Sequence, residues 1–468
     1  MVADSEFRNA HWGILIVDPD RGDTLYSHEA GKLFMPASNM KIVTGSVALA
    51  LLGPDFHFRT AFVAGGPVCD GTVRGDLVVD GRGDPSVSDD MAGDALLPLD
   101  AIADSLAARG VRRITGGVVN GTDAFPGPTI GYGWSWDDLG YSYGAGVDEL
   151  YFDEGFTQLI VHAGNRPGAR VTSELSPATG YPKLRITALT AFAPESLSLG
   201  SGGRAATPVA GLHAAMDTTT GVVVLSGWIA PHAVDTLDVV YPRQVDAYLA
   251  ALRTALRSRG IRLHAPAPRA ARCARAHRTA GDTLYVAQSP PLSDVLRAML
   301  KPSQNQIAEI LIRTIGLQET GVGTADSGIA VVRRQLLAWG AQPDGFVQHD
   351  GSGLSRYDYV TPETLVRTLA AIRKDSAFAA FYDGLPIAGV DGTLEHRMRG
   401  TPAEGNVHAK TGYVSNARSL SGYVTTADGR VLIFSALCNN WTAPVRDVER
   451  VQDAIAARLA ALTVGAGG

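Results

Sequence analysis

The chain changes character twice along its length, and that order limits its fold more than any single motif does. Residues 1–58 and 283–468 mix helix and strand signals, whereas residues 59–282 read mostly as short Val-, Thr- and Gly-rich strands. The two patterns bury different faces, so each needs its own core. The reading is one α/β (α+β) domain, split into 1–58 and 283–468, that holds a β-rich insertion. That insertion is itself nested, with 152–235 inside a second domain built from 59–151 and 236–282.

Residues 12–27 read as a hairpin around Asp18-Pro19-Asp20-Arg21-Gly22. A helix is expected over 38–52, with Met40, Val43, Val47 and Leu51 at helical spacing and Gly53-Pro54 as its stop. Strands are expected at 57–64, 73–80 and 112–120, with a helix near 99–109. Residues 152–235 carry strand and turn signals, a helix follows at 244–259, and 264–281 reads as a surface connection. Helices return at 291–299, 304–316, 325–339 and 361–374. A meander of strands (405–412, 418–426, 430–438) and a helix near 443–463 close the chain.

With 45% hydrophobic and 19% charged residues, the chain reads as soluble and globular. The apolar run 42–52 is too short to span a bilayer. A net charge of -6 demands no basic face for nucleic acid. The 41 basic residues divide into 6 Lys and 35 Arg, which makes each lysine worth inspecting. Residues 1–12 show no basic segment followed by an apolar core, so no secretion signal is visible; the chain is either cytoplasmic or a trimmed mature form. Cys69, Cys273 and Cys438 are too few and scattered for a disulfide scaffold or zinc site. A Cys69–Cys273 bridge is one reading, and two free buried thiols is the preferred one. The 11 histidines form no paired-ligand spacing, so neither metal nor cofactor is expected.

Three short motifs occur once each, in order: Ser38-Asn39-Met40-Lys41, Ser303-Gln304-Asn305 and Lys410-Thr411-Gly412. Either of the first two is weak alone, since a Ser at a helix start is usually a cap and a surface Lys is usually solvated, whereas Lys-Thr-Gly is expected by chance only about 0.05 times. Together they are expected by chance about 0.01 times in such a chain. The triple is the signature of an acyl-serine site. Ser38 and Lys41 are three apart at a helix start, so both lie on one face, with the helix dipole favouring negative charge at the serine. A serine needs a base, and a lysine supplies one if burial and a nearby cation keep it neutral; Lys410 is the expected cation. Asn305 would orient a substrate amide and Ser303 relay a proton to the leaving amine. The backbone N–H groups of Ser38 and Tyr413 would form the oxyanion hole.

At these residues the sequence resembles a low-molecular-mass penicillin-binding protein of the D-alanyl-D-alanine carboxypeptidase/endopeptidase type with nested inserted domains. The resemblance extends over the whole chain, through Asp350-Gly-Ser-Gly-Leu-Ser-Arg356, Gly389-Val-Asp-Gly-Thr-Leu394, Thr401-Pro402, Gly83-Asp84-Pro85 and Gly133-Trp-Ser-Trp-Asp-Asp138. It implies a penicillin-binding/β-lactamase-like transpeptidase domain, an antiparallel sheet flanked by helices. It also implies cleavage of peptidoglycan stem peptides through an acyl-serine, acylation of that serine by β-lactam antibiotics, and a periplasmic or cell-envelope location for a mature or trimmed chain. By resemblance, Thr411, Gly412, Tyr413, Val414 and Ser415 bind substrate, and Trp134, Asp137, Tyr143, Arg356 and Val414 line a pocket for the stem-peptide side chain. Two departures stand out: the family usually has Thr or Ser after Lys-Thr-Gly to hold the substrate carboxylate, and here it is Tyr413, while the middle residue of the S-x-N motif is Gln304, a tolerated change.

Rival readings use the same chemistry on another substrate: a β-lactamase, D-aminopeptidase or esterase. No Glu-x-x-x-Asn lies between Ser303 and Lys410 to activate a deacylating water, which argues for a slowly deacylating penicillin target. Gly140-Tyr-Ser142-Tyr-Gly144 matches the nucleophile elbow of α/β-hydrolases, which requires a strand before it and a helix after it. A non-catalytic wall-binding or penicillin-sensing protein is a third reading, disfavoured by the intact Lys41 and Lys410.

Overall fold

The computed structural model describes residues 2, 4–192, 209–217, 219–265 and 279–463. The chain divides into two compact units: Met1–Phe58, Asp123–Trp136 and Gln288–Gly468 form unit one, and Arg59–Thr122 with Asp137–Ala287 form unit two.

Unit one is built on an antiparallel sheet of β1 (His11–Asp18), β2 (Asp23–His28), β3 (His408–Val414), β4 (Ala417–Thr425) and β5 (Val431–Asn439), in the order β3-β4-β5-β1-β2. The two ends of the chain therefore meet inside one sheet, with Ile14 opposite Ala436. Strand β5 is buried along almost its whole length, and its near-continuous apolar sequence follows from cover on both faces. The helices are α1 (Met40–Leu52), α2 (Leu292–Leu300), α3 (Asn305–Thr320), α4 (Ala325–Ala338), α5 (Pro362–Ile372), α6 (Phe378–Gly384) and α7 (Val445–Ala460). Leu432, Phe434, Ala436 and Cys438 share a core with Val448 and Val451 of α7. On the other face α5 packs against β1 and β5, and Tyr423 donates its hydroxyl to the Leu369 carbonyl.

Helix α1 is buried without a break from Met40 to Leu49. A helix enclosed on every side belongs in the middle of its unit, and α3, α5 and α2 surround this one. Two features differ from expectation. The short α6 had no periodic signal to announce it. Residues 123–136 belong to unit one, not to the second domain where the sequence reading put them. Tertiary bonds hold them there: Arg313 Nη2 donates to the Pro128 carbonyl at 3.0 Å, and Trp134 Nε1 to Asp350 Oδ2 at 2.9 Å.

Among its described residues, unit two contains two separate cores. Phe62, Leu77, Leu99, Val118 and Leu252 join one, between helices Leu96–Ala108 and Gln244–Ser258 and a sheet that includes Arg59–Ala64, Leu77–Asp80 and Val118–Asn120. Leu159, Val161, Leu212, Val223 and Leu225 form the other, contributed by strands between 156 and 240. Ser142–Gly144 is a single 3-10 turn, with neither the strand before nor the helix after that a nucleophile elbow needs.

Cys69 is disulfide-bonded, which corrects the preference for a free thiol there; Cys273 lies outside the described residues. Cys438 is a free thiol, and burial pushes it up to about 12. Among the described residues no helix is long and apolar enough to cross a membrane.

Candidate active site

Ser38 does not sit in α1 but in the 3-10 turn Ala37–Asn39 that leads into it. The turn is fastened to the sheet: Asn39 Nδ2 donates to the Lys410 carbonyl at 2.8 Å, and Ser419 Oγ to the Pro36 carbonyl at 2.6 Å. Gly412 permits this approach, because a Cβ there would lie 2.7 Å from the Pro36 oxygen and 3.0 Å from the Ser38 nitrogen. Gly353 does the same from the opposite side, where φ is +81° and a Cβ would stand 1.8 Å from the Ala37 oxygen.

As the second residue of α1, Lys41 points at the serine. Its Nζ lies 2.9 Å from Ser38 Oγ, 2.6 Å from Asn305 Oδ1 and 3.0 Å from the Ser352 carbonyl oxygen. The side chain is fully buried, and burial pulls its pKa down to about 7 against the opposing pull of Asp350 and Glu309. Burial thus brings Lys41 into the range where a neutral amine is available near pH 7, as a general base requires.

Lys410 on β3 is also fully buried and is held well below the ordinary lysine value, first by burial and then by Lys41. Burial is the larger cause at both lysines, and the repulsion between their charges works in the same direction. Its Nζ donates to the Thr411 carbonyl at 3.0 Å.

Helix α3 delivers Asn305 at its first residue, with Gln304 as the cap that accepts from the Ile307 N–H at 3.0 Å. Ser303, just before it, is held at φ +69°, a left-handed conformation that non-glycine residues rarely adopt. The turn is braced by Lys301, whose Nζ donates to Asp391 Oδ2 at 2.6 Å and to the Leu385 carbonyl at 2.6 Å. Ser303 and Ser38 line one cavity of about 230 Å³, together with Thr393, Thr411, Gly412 and Tyr413.

Beneath Lys41, residues 350–356 form a loop that buried carboxylates hold in place. Glu309 Oε1 accepts the Gly351 and Ser352 N–H groups, each at 2.9 Å. Asp350 accepts from Gly353 N at 2.6 Å and Ser355 N at 2.7 Å, besides Trp134. This aims the Ser352 carbonyl at Lys41. Burial and the charge of Asp350 raise Glu309 to about 7, opposed by its ion pair with Arg313, and the same two causes hold Asp358 well above the carboxylate range. Sequence reasoning gave Glu309 and Thr393 no role. Glu309 lies one turn beyond Asn305 on α3, and that spacing was the available signal.

The residues expected to bind substrate divide. Thr411, Gly412 and Tyr413 line the cavity, and the Ser415 carbonyl accepts from Arg356 Nη2 at 2.8 Å. Val414 ends β3, opposite Ala417. Trp134 is buried, with its Nε1 committed to Asp350, so it packs where a lining residue was expected. Asp137 and Tyr143 belong to unit two, where Tyr143 donates its hydroxyl to Asp138 at 2.9 Å.

A family model described as the D-Ala-D-Ala carboxypeptidase 3 (S13) family matches residues 1–462. A D-alanyl-D-alanine carboxypeptidase from Actinomadura sp. (strain R39) is 34% identical over 98% of this chain and 83% of its own length. The crystal structure of penicillin binding protein 4 (dacB) from Haemophilus influenzae superposes with a TM-score of 0.77 at 25% identity, covering 93% of this chain and 92% of that one. Its complex with a β-lactam has the same fold, with a TM-score of 0.74 at 23% identity over 96% of this chain and 97% of that chain.

Proposed function

The chain belongs to the D-Ala-D-Ala carboxypeptidase 3 (S13) family, and on that premise we propose that it cleaves the terminal D-Ala of peptidoglycan stem peptides, or D-Ala cross-links, through an acyl-serine at Ser38. The observation that carries this reading is Lys41 Nζ standing within hydrogen-bond reach of both Ser38 Oγ and Asn305 Oδ1.

The geometry supports the following steps. Neutral Lys41 takes the proton of Ser38 Oγ as that oxygen bonds to the scissile carbonyl carbon. The oxyanion turns to the N–H groups of Ser38 and Tyr413. The C–N bond then breaks, and the leaving amine receives the proton from Lys41 through Ser303. Water hydrolyses the Ser38 ester and restores both groups. Asn305 and Lys410 hold the substrate against β3. A β-lactam enters by the same attack, with its ring amide in place of the peptide.

Two observations support further parts of the reading. The disulfide at Cys69 suits an oxidising compartment, in keeping with the periplasm or cell envelope. The two cores of unit two favour a nested division, with 152–235 set apart from 59–122, 137–151 and 236–282. The test is release of D-alanine from a D-Ala-D-Ala peptide: wild type releases it and Ser38→Ala does not. Release by Ser38→Ala would overturn the assignment.

A further inference from the structure

We propose that Arg418, with Arg397 beside it, binds the carboxylate of the leaving group in this chain, taking the place of the hydroxyl that Tyr413 displaces. This rests on the peptidase reading above and adds a specificity determinant to it.

Arg418 lies on β4 directly across from Tyr413, and its guanidinium sits 4.6 Å from the centre of the tyrosine ring. The stacked ring orients the cation. Arg418 and Arg397 both line the cavity that contains Ser38 and Ser303. A leaving group held beside Ser303 thus has guanidinium groups within the same enclosure. The phenol hydroxyl of Tyr413 is a ring's length from its Cβ, so it cannot stand where a threonine hydroxyl would.

The acidic residues nearby do not exhaust these donors. Arg418 pairs with Glu449, which also lines the cavity, through Nη2, and among the described residues its Nη1 makes no hydrogen bond. Arg397 uses Nε and Nη2 on Asp453, Gln452 and the Glu449 carbonyl; among the described residues its Nη1 makes no hydrogen bond. Thr411 Oγ1 donates to Thr393 Oγ1 at 2.7 Å, so one hydroxyl proton of that pair remains for a third acceptor. Unused guanidinium donors and a hydroxyl on one wall fit a planar, acceptor-only anion. The carboxylate of a departing amino acid is such an anion.

The test compares three acyl donors in wild type, Arg418→Gln and Arg418→Lys: a peptide ending in D-Ala-D-Ala, the same peptide as its C-terminal amide, and a thioester of the acyl part with a neutral thiol. Loss of a charge-assisted contact predicts a fall of about 10- to 100-fold in kcat/KM for the free-acid peptide in Arg418→Gln, carried mainly by KM. Turnover of the amide and the thioester should stay near wild type, so the preference for the free acid collapses. Arg418→Lys keeps the charge without the fork and should fall between. Equal losses on all three donors, or an intact preference, would overturn the proposal while leaving the acyl-serine chemistry in place. Failure of the wild type to turn over any donor would instead sink the peptidase reading itself.

Discussion

Lys41 Nζ and Ser38 Oγ stand 2.9 Å apart, although the serine belongs to a 3-10 turn and the lysine to the first turn of α1. The offset lets the serine face the cavity while the lysine stays fully buried behind it. Burial lowers the pKa of the amine, so in the proposed mechanism position and reactivity have one cause.

Acylation by a β-lactam should therefore rise with pH through about 7, as Lys41 loses its proton. Glu309 raises the Lys41 value, so Glu309→Gln should move this limb to lower pH, by up to about one unit. Stopped-flow acylation between pH 5 and 9 reads both. A limb that stays in place in Glu309→Gln would show that its charge does not reach the lysine.

The same shift appears in stability. Between about 7 and 10.5 the unfolded chain holds a proton on Lys41 that the folded chain lacks, so wild-type stability rises with pH across that window. Below about 7 both states are protonated, and the burial cost is fully present. Lys41→Met removes the group, so the stability difference between wild type and variant should change in favour of wild type from pH 6.5 to 9.5. Urea unfolding at the two pH values measures it.

Ser303 at φ +69° predicts a split between stability and activity. Ser303→Gly and Ser303→Ala both remove the hydroxyl of the proposed proton relay, yet the glycine variant should be more stable than the alanine variant by about 1 kcal/mol. Equal stabilities would mean that the left-handed turn carries no strain.

Trp134→Phe should cost about 1.5–3 kcal/mol, because it removes a donor from the fully buried Asp350. Acylation should slow as well, since Asp350 orders the loop whose Ser352 carbonyl contacts Lys41. Thermal unfolding and acylation rate check the two effects separately.

Much of this was legible in the sequence where the signal is local. The hairpin of β1 and β2, helices α2 to α5 and the strands β3 to β5 fall close to where periodicity places them. Ser38 and Lys41 could be paired from spacing alone, and chance arithmetic joined them to Asn305 and Lys410. Contacts between distant segments left no such trace. Nothing in residues 123–136 tells that Trp134 serves Asp350, 216 positions away. The lysine pair suggested mutual repulsion, but only the packing reveals that burial outweighs it. Arg418 was one of 35 arginines until the register of β3 on β4 set it opposite Tyr413.

The most direct test of the central claim is the intact mass of the protein after incubation with benzylpenicillin, for wild type and Ser38→Ala. One stable adduct on wild type, absent from the variant, is the predicted result. An unmodified wild type with the penicillin intact, or an adduct that persists in Ser38→Ala, would contradict the assignment of Ser38 as the nucleophile of a penicillin-sensitive peptidase.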